Sequence, residues 1–228
     1  MLAGVTDAHA STQPAGAVRG SSGATQELAR YSQQRISWGT CRTGPADKVG
    51  AALDTAGAQC GTVTVPVDYR EPAGRTLTVA ISRRKATDPA HRRGILLINP
   101  GGPGAPGLEQ VLLAPYLPAV AARYDLIGMD PRFTGRSTPL GCQWHTDTFL
   151  RSAGPDRASF EQSADLAREL AASCAPGNAG LLPHASTLNT ARDMDLIRAV
   201  LGEEKLSYFG VSYGTYLGAL YLQLFGAR

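Results

Sequence analysis

The amino-acid sequence predicts an α/β fold in which an antiparallel hairpin precedes parallel β-α-β units. Apolar residues alternate in two early segments, and three later segments are continuously apolar. Alternation is typical of a strand with one face in solvent, whereas a continuous apolar run is typical of a parallel strand covered on both faces. Helical stretches separate the later runs, which is the arrangement of a sheet packed against helices.

The hairpin is predicted over residues 62–82. Three residues of each strand share the inward face: Val63, Val65 and Val67 in the first strand, and Leu77, Val79 and Ile81 in the second. Pro66 cannot donate a ladder hydrogen bond, so the first strand is expected at a sheet edge. Residues 71–74, Glu-Pro-Ala-Gly, form the turn between the strands.

The parallel strands are predicted at residues 94–99, 124–130 and 206–211. Helices are expected over residues 107–122 and 190–201. Thr190 and Asp193 have the spacing of a capping box, and Gly202 suits the end of that helix.

Residues 1–36 are expected to be a disordered lead-in, a linker or the remainder of a signal, because they are rich in Ala, Gly, Ser, Thr and Gln. Ala8-His9-Ala10 resembles a signal-peptidase site, but no basic and apolar segments precede it. Residues 37–228 form the ordered domain. Within it, residues 142–186 interrupt the β-α-β rhythm as an insertion, with an amphipathic helix over 156–175 whose apolar face carries Phe160, Leu166 and Leu170.

Composition excludes several classes of protein. The net charge of +3 is mild and the basic residues are scattered, so no nucleic-acid partner is expected. No apolar run reaches the ~18 residues that a membrane span needs. Neither a C-x-x-C motif nor a histidine at zinc-finger spacing is present, so no metal site is expected.

The four cysteines, Cys41, Cys60, Cys142 and Cys174, are dispersed. An even number fits two disulfides and an oxidising compartment, with four free, buried thiols as the alternative. We favour the pairs Cys41–Cys60 and Cys142–Cys174, because each closes a local loop. A secreted or cell-envelope location is therefore expected, although no signal peptide is visible.

A candidate nucleophile lies in the segment Gly210-Val211-Ser212-Tyr213-Gly214. A short apolar strand precedes this G-x-S-x-G sequence and a helix of small residues follows it. Such a strained strand-to-helix turn lifts a serine hydroxyl out of the sheet. The alternative is a glycine-lined turn that carries an incidental serine.

A second motif, Asn99-Pro-Gly-Gly-Pro-Gly-Ala-Pro-Gly107, directly follows a buried strand. It could cradle a phosphate, but it lacks the lysine and the glycine order of known phosphate loops. It could also be a plain turn. The third interpretation is an oxyanion hole, in which the N–H of Tyr213 and one from this loop stabilise a developing negative charge. Gly102 is the preferred second donor, with Gly101 next.

These motifs resemble a family. Residues 100–104 resemble the His-Gly-Gly-Pro-Gly motif of the proline iminopeptidase and tripeptidyl aminopeptidase branch of the α/β-hydrolases. Residues 130–137, Asp-Pro-Arg-Phe-Thr-Gly-Arg-Ser, resemble the Asp-x-Arg-Gly-x-Gly-x-Ser segment that follows the fourth strand in that branch. The similarity covers roughly residues 37–228 and is greatest to the secreted tripeptidyl aminopeptidases of actinobacteria.

The resemblance implies the N-terminal half of an α/β-hydrolase fold, truncated after the nucleophile helix. It also implies a serine exopeptidase that releases short peptides from free N-termini, with a peptide or small ester as substrate and no cofactor. Two positions depart from the family pattern: Pro100 replaces His, and Phe133 replaces Gly, so the backbone there is expected to be less free to adopt φ > 0. Asp130 and Arg132 are expected to be structural residues near the site.

The triad order in this fold is Ser, then Asp or Glu, then His. All four histidines, His9, His91, His145 and His184, precede Ser212, and residues 213–228 contain no Asp, Glu or His. Of the four, only His184 is considered for a place near the cleft. A C-terminal portion is therefore expected to supply both triad partners, and this chain alone is predicted to be inactive. The alternatives are an esterase or lipase of the same fold, or a non-catalytic fragment with a binding or structural role.

The last helix carries many apolar residues: Tyr216, Leu217, Leu220, Tyr221, Leu224 and Phe225. No downstream segment is present to cover them, and the nucleophile strand is expected to be an open edge. Residues 1–228 are therefore predicted to be marginally soluble or to aggregate.

Overall fold

A mixed five-stranded sheet forms the centre of the computed structural model, which describes residues 21–144 and 153–228. Ala8-His9-Ala10 and His145 lie outside the described residues. The strand order is β1-β2-β4-β3-β5. The strands are β1 Gln59–Pro66, β2 Thr76–Arg84, β3 Gly94–Asn99, β4 Tyr124–Met129 and β5 Leu206–Gly210.

The pairing confirms the predicted fold class. β1 pairs antiparallel with β2, and β2 pairs antiparallel with β4. β3 lies between β4 and β5 and is parallel to both. The inward residues expected in the hairpin are all buried, and β1 lies at a sheet edge, as Pro66 predicted.

Helices cover both faces of the sheet. They are α1 Ser21–Ser32, α2 Lys48–Thr55, α3 Pro118–Arg123, α4 Arg157–Cys174, α5 Thr187–Val200 and α6 Tyr213–Phe225. The core on one face includes apolar residues of α1, α5 and α6. The core on the other face includes residues of α2, α3 and a 3-10 helix at Leu108–Tyr116.

Two predicted helices have different bounds in the structure. The helix expected over 107–122 is divided into the 3-10 helix and α3. Pro115 and Pro118 lie at the division, and proline cannot donate the backbone hydrogen bond that a continuous helix needs. Helix α5 begins before residue 190, because the Ser186 side chain accepts the N-cap hydrogen bond from Asn189. The capping-box interpretation of Thr190 and Asp193 is therefore wrong, whereas Gly202 does follow the helix with φ 74°.

Residues 21–36, expected within a disordered lead-in, instead form α1 and an ordered segment after it. The Tyr31 side chain is buried, and its hydroxyl donates to the Pro72 carbonyl at 2.6 Å. The Gln34 amide exchanges two hydrogen bonds of 2.8 Å with the backbone of Thr64 in β1. These contacts were not visible in composition, since they depend on single polar side chains.

Both favoured disulfides are present, Cys41–Cys60 and Cys142–Cys174. The second joins residues 142 and 174 across the insertion. Helix α4 occurs there as expected, but its predicted apolar face is only partly covered: Phe160 is exposed, and Leu166 and Leu170 are half-buried.

Among the described helices, none combines the length and the apolar character that a membrane crossing requires.

Candidate active site

The turn between β5 and α6 presents Ser212 in a strained conformation. Ser212 has φ 53° and ψ −123°, a region that L-residues rarely occupy. Hydrogen bonds on both sides hold it there: the Val211 N–H donates to the Asn99 carbonyl at 3.0 Å, and the Thr215 N–H donates to the Ser212 carbonyl at 3.0 Å. The serine is exposed at the carboxyl end of a strand, where this fold places a nucleophile.

The glycines that flank Ser212 are required by close backbone contact. A methyl group added to Gly210 would lie 2.5 Å from the Gly214 carbonyl oxygen. One added to Gly214 would lie 2.9 Å from the side-chain oxygen of Asn99. Both distances are shorter than real methyl contacts allow, so Gly210 is required by the packing of β5 against α6, and Gly214 by the packing of α6 against Asn99 at the end of β3.

The Gly-rich loop after β3 lies directly against this turn. The side chain of Asn99 is buried and accepts the Gly101 N–H at 2.9 Å. A methyl group on Gly101 would lie 2.6 Å from the Val211 carbonyl oxygen and 3.2 Å from the Tyr213 nitrogen. Gly101 also has φ 101°, so both the space and the backbone angle there favour glycine.

Two backbone N–H groups, one in the serine turn and one in the Gly-rich loop, are available to a ligand. Within residues 21–144 and 153–228, the N–H groups of Tyr213 and Gly102 have no acceptor. The Gly101 N–H, by contrast, is occupied by Asn99. Ser212 Oγ likewise has no hydrogen-bond partner in the described part of the chain.

A cleft of about 330 Å³ adjoins the turn. The cleft is lined by Gly101, which packs against Ser212, and by Tyr213, which follows it in sequence. The loop after β4, the start of α5 and Leu217 of α6 complete the lining. The Tyr213 hydroxyl forms a short hydrogen bond with Thr187 Oγ1, which ties the turn to the first residue of α5.

Asp130 organises the loop after β4. Its buried carboxylate accepts the N–H groups of Gly107 at 2.8 Å, Leu108 at 3.1 Å and Arg136 at 2.8 Å. Within the described residues, the hydrogen bonds of this carboxylate all come from backbone N–H groups, in this loop and at the start of the 3-10 helix. These contacts support a structural role.

Arg132 and Asp193 form a buried ion pair between that loop and α5. The guanidinium donates to the two carboxylate oxygens at 2.6 and 2.8 Å and also to the carbonyls of Pro66 and Val67. Burial acts to lower the pKa of Arg132, but the Asp193 carboxylate outweighs it and holds that pKa above its ordinary value. Arg132 lines the cleft, but its charge is already neutralised.

The backbone at Phe133 was expected to be less free to adopt a positive φ, and the structure differs. Its φ is 68°, so the backbone enters the left-handed region despite the phenylalanine side chain. Its N–H donates to the Ser137 carbonyl at 2.8 Å, and Phe133 is buried and lines the cleft.

Neither histidine in the described residues contacts Ser212. His91 is exposed and pairs with Asp88, with 2.8 Å between Nδ1 and the carboxylate. His184 does not line the cleft, and its carbonyl accepts from Arg132 at 3.3 Å.

Sequence reasoning missed three residues that shape the site: Asn99, Thr187 and Tyr208. The Tyr208 hydroxyl donates to the Gly214 carbonyl at 2.8 Å, and burial raises the pKa of that hydroxyl. Asn99 had a signal, since an asparagine at the end of a buried strand often bonds to nearby backbone. Thr187 had none, because Tyr213 becomes its neighbour only through the tertiary fold. Tyr208 had none either, because its hydrogen bond is to a backbone carbonyl across the turn, which no residue pattern marks.

Comparison with known proteins agrees with this geometry. The sequence model of the alpha/beta hydrolase fold family matches residues 94–228. The chain is 45% identical over 177 residues to a tripeptidyl aminopeptidase of Streptomyces lividans, covering 73% of this chain and 33% of that protein. It is 37% identical over 204 residues to the serine protease Hip1 of Mycobacterium tuberculosis, covering 86% and 38%.

A third relative is named carboxylesterase B, from Mycobacterium tuberculosis, with 39% identity over 173 residues that cover 71% of this chain and 32% of that protein. The chain thus spans about a third of the length of the curated relatives it matches. Among solved structures, a variant of the N-acyl homoserine lactonase AidH aligns with a TM-score of 0.37 and 17% identity, covering 67% of this chain and 38% of that one.

Proposed function

Because this chain belongs to the alpha/beta hydrolase fold family, we propose that it is part of a serine hydrolase in which Ser212 is the nucleophile. The observation that carries the proposal is the conformation of Ser212, whose φ of 53° exposes the hydroxyl between two close-packed glycines. Strained backbone of this kind persists only where surrounding contacts impose it, and it is concentrated at functional sites.

The chemistry follows from the groups around the turn. Ser212 Oγ attacks the substrate carbonyl carbon, and its proton passes to a general base. The carbonyl oxygen becomes an oxyanion that accepts the Tyr213 and Gly102 N–H groups. The tetrahedral intermediate then expels the amine or alcohol, which takes the proton from the base and leaves an acyl-enzyme that water hydrolyses. Gly101 is a positioning residue in this scheme, because its own N–H is held by Asn99.

The general base and its carboxylate partner lie outside these 228 residues in this proposal. Neither His91 nor His184 contacts Ser212, and no Asp, Glu or His follows Ser212 in the sequence. A serine hydroxyl without a base is a weak nucleophile, so the 228-residue chain alone is expected to be inactive.

The substrate class is proposed to be peptides with a free N-terminus, from which short peptides are released. The identity to a protein named tripeptidyl aminopeptidase supports this class. The two disulfides support a secreted or cell-envelope location, since such bonds persist in oxidising compartments.

The test is hydrolysis of tripeptidyl aminomethylcoumarins by the product of the complete open reading frame. Ser212→Ala should lower kcat/KM by at least about 10³-fold, because it removes the nucleophile. Ser207→Ala, on the preceding strand β5 and away from the turn, is the matched control and should retain activity. Full activity of Ser212→Ala would refute the proposal.

An esterase of the same fold is the second candidate, supported by the identity to a protein named carboxylesterase B. The two functions are separated by comparing kcat/KM for the tripeptidyl substrates and for p-nitrophenyl esters. A fluorophosphonate probe addresses a third possibility, a non-catalytic fragment. Labelling that Ser212→Ala abolishes supports either enzyme, and absence of labelling contradicts both.

A further inference from the structure

Phe133 occupies a backbone conformation that glycine would hold with less strain. Its φ of 68° lies in the left-handed region, where a side chain crowds the backbone. The hydrogen bonds from the Phe133 N–H to Ser137 and from the Leu140 N–H to the Phe133 carbonyl fix the loop in that shape. Since the backbone alone would be served better by glycine, the phenylalanine side chain must contribute something else at this position.

That contribution is found in the cleft beside the serine turn. Phe133 lines it together with Pro103, Leu140 and Leu217, and it is also part of the hydrophobic core that contains Leu217. The side chain of Phe133 therefore connects the core to the cleft and occupies volume that a glycine would leave open. Leu140 packs against the same core.

No uncompensated charge faces this cleft among the residues that line it. Arg132 is the single ionisable residue there apart from Tyr213, and its guanidinium is held by Asp193 and by backbone carbonyls. The remaining polar lining consists mainly of hydroxyl groups, such as those of Thr134 and Thr190. A charged group that entered would lose its water without gaining a partner of opposite charge.

We infer that the cleft receives an uncharged, apolar part of the substrate and that Phe133 is the residue that limits the size of this part. The inference rests on the proposed nucleophile, Ser212, because the cleft adjoins it through Gly101 and Tyr213. Phe133 is a specificity-determining residue in this view, with no part in the bond-making steps.

The test is a series of p-nitrophenyl esters, hydrolysed by the product of the complete open reading frame. The acetate, butyrate and hexanoate vary the length of the acyl group, and the monosuccinate adds a negative charge. The unaltered protein should prefer the butyrate to the monosuccinate by at least about tenfold. Phe133→Ala should raise the hexanoate-to-acetate ratio of kcat/KM by about tenfold or more, since each methylene in an apolar pocket contributes roughly that factor.

Phe133→Leu is a second variant that keeps most of the buried volume. It should fold even where Phe133→Ala does not, and it should move the ratio in the same direction by a smaller factor. Gln143→Gly is the matched control, because Gln143 also has a positive φ of 51° but is exposed and does not line the cleft. It should leave the ratio unchanged.

The outcomes separate the two proposals. Labelling of Ser212 by a fluorophosphonate, with ester ratios that neither Phe133 variant alters, overturns the inference and leaves the nucleophile in place. An equal rate for the monosuccinate and the butyrate also overturns it. Absence of both labelling and hydrolysis refutes the proposed function, and the inference fails with it.

Discussion

At the scale of single residues, Asn99 connects the two halves of the candidate site. Its side chain accepts the Gly101 N–H, and its carbonyl accepts the Val211 N–H one residue before the serine. The Gly-rich loop and the serine turn are therefore fixed to each other through one buried residue, whose backbone carbonyl binds the turn and whose side chain shapes the loop. The distance between the two available N–H groups depends on it.

Asn99→Ala is expected to lower kcat by about 10–100-fold, because small displacements of a catalytic group carry a penalty of that order. It should also destabilise the fold by about 1–3 kcal/mol, since the buried Gly101 N–H loses its acceptor. Both quantities are measured on the product of the complete open reading frame, by steady-state kinetics and urea unfolding. Asn178→Ala removes another buried amide, which bonds to Cys174 and Gly141. It should destabilise the fold but leave kcat unchanged, and an equal kcat loss in both variants would contradict this role for Asn99.

The serine turn and the Gly-rich loop could be recognised from the sequence because both depend on local residue order. The strained φ of Phe133 could not, since a phenylalanine there predicts the opposite. The roles of Thr187 and Asp193 were also hidden, because their partners lie far away along the chain.

At the scale of secondary-structure elements, the Arg132–Asp193 pair joins the loop after β4 to α5. Tyr69 adds a third contact, donating its hydroxyl to Asp193 at 2.7 Å. Burial raises the pKa of Tyr69 well above its ordinary value, so this hydroxyl stays protonated as a donor. The pair positions α5, whose first residues line the cleft.

Arg132→Met should destabilise the protein by about 3–5 kcal/mol, because it leaves the Asp193 carboxylate buried without a counter-charge. The double variant Arg132→Met/Asp193→Leu should recover much of that loss, because apolar residues can replace a buried pair. Urea unfolding of both single variants and of the double variant measures the coupling. Additive losses would show that the two side chains do not act as a pair.

Asp47 caps α2 and also holds Arg136, at 2.8 Å. Hydrogen bonds from the backbone N–H groups of Gly50 and Thr43 lower the pKa of Asp47 to about 2. In the unfolded chain the pKa of the Asp47 carboxyl is ~3.9. The stability that Asp47 contributes is therefore present above that pH and is lost as the pH falls toward 2.

Asp47→Asn keeps an oxygen that can cap the helix but removes the charge. Its thermal midpoint should therefore fall less than that of the unaltered protein between pH 5 and 2, in a melting series followed by circular dichroism. Asp165→Asn alters an exposed carboxylate on α4 and should follow the unaltered protein. If the thermal midpoints of the Asp47 variant and the unaltered protein fell equally with pH, the prediction would be contradicted.

Strand positions were predictable from alternation and apolar runs, because each strand needs several consistent residues. The bounds of the helices were less predictable. Pro115 divided one expected helix, and Ser186 started another before its predicted cap. A single capping or helix-breaking residue decides such a boundary, and the sequence offers several candidates within a few positions.

At the scale of the whole molecule, β5 is an edge of the described sheet. The apolar residues of α6 were expected to be left uncovered, and this holds for only some of them. Leu217 and Tyr221 are buried in the core, whereas Tyr216 and Leu224 are exposed. Phe209 and Val211 on the β5 side are exposed as well, so apolar side chains are concentrated at this edge.

The isolated 228-residue chain should therefore associate as its concentration rises, because an open strand edge with apolar neighbours favours pairing between chains. Light scattering after size-exclusion chromatography measures this. Leu222→Lys, at a side chain that is 65% exposed, should reduce the association. Val49→Lys alters a side chain that is 41% exposed on α2, remote from this edge, and should not. A monomer at all concentrations, with cooperative unfolding, would contradict the prediction.

The buried ion pair also has a consequence for synthesis on the ribosome. Arg132 and Asp193 are 61 residues apart, and a ribosome adds about 5–20 residues per second. The nascent chain therefore carries Arg132 for roughly 3 to 12 seconds before its partner has been made. During that interval the loop after β4 cannot settle into the sheet without burying an unpaired cation. The part of the cleft that this loop and α5 line can therefore form only once Asp193 has been made, shortly before the growing chain reaches Ser212.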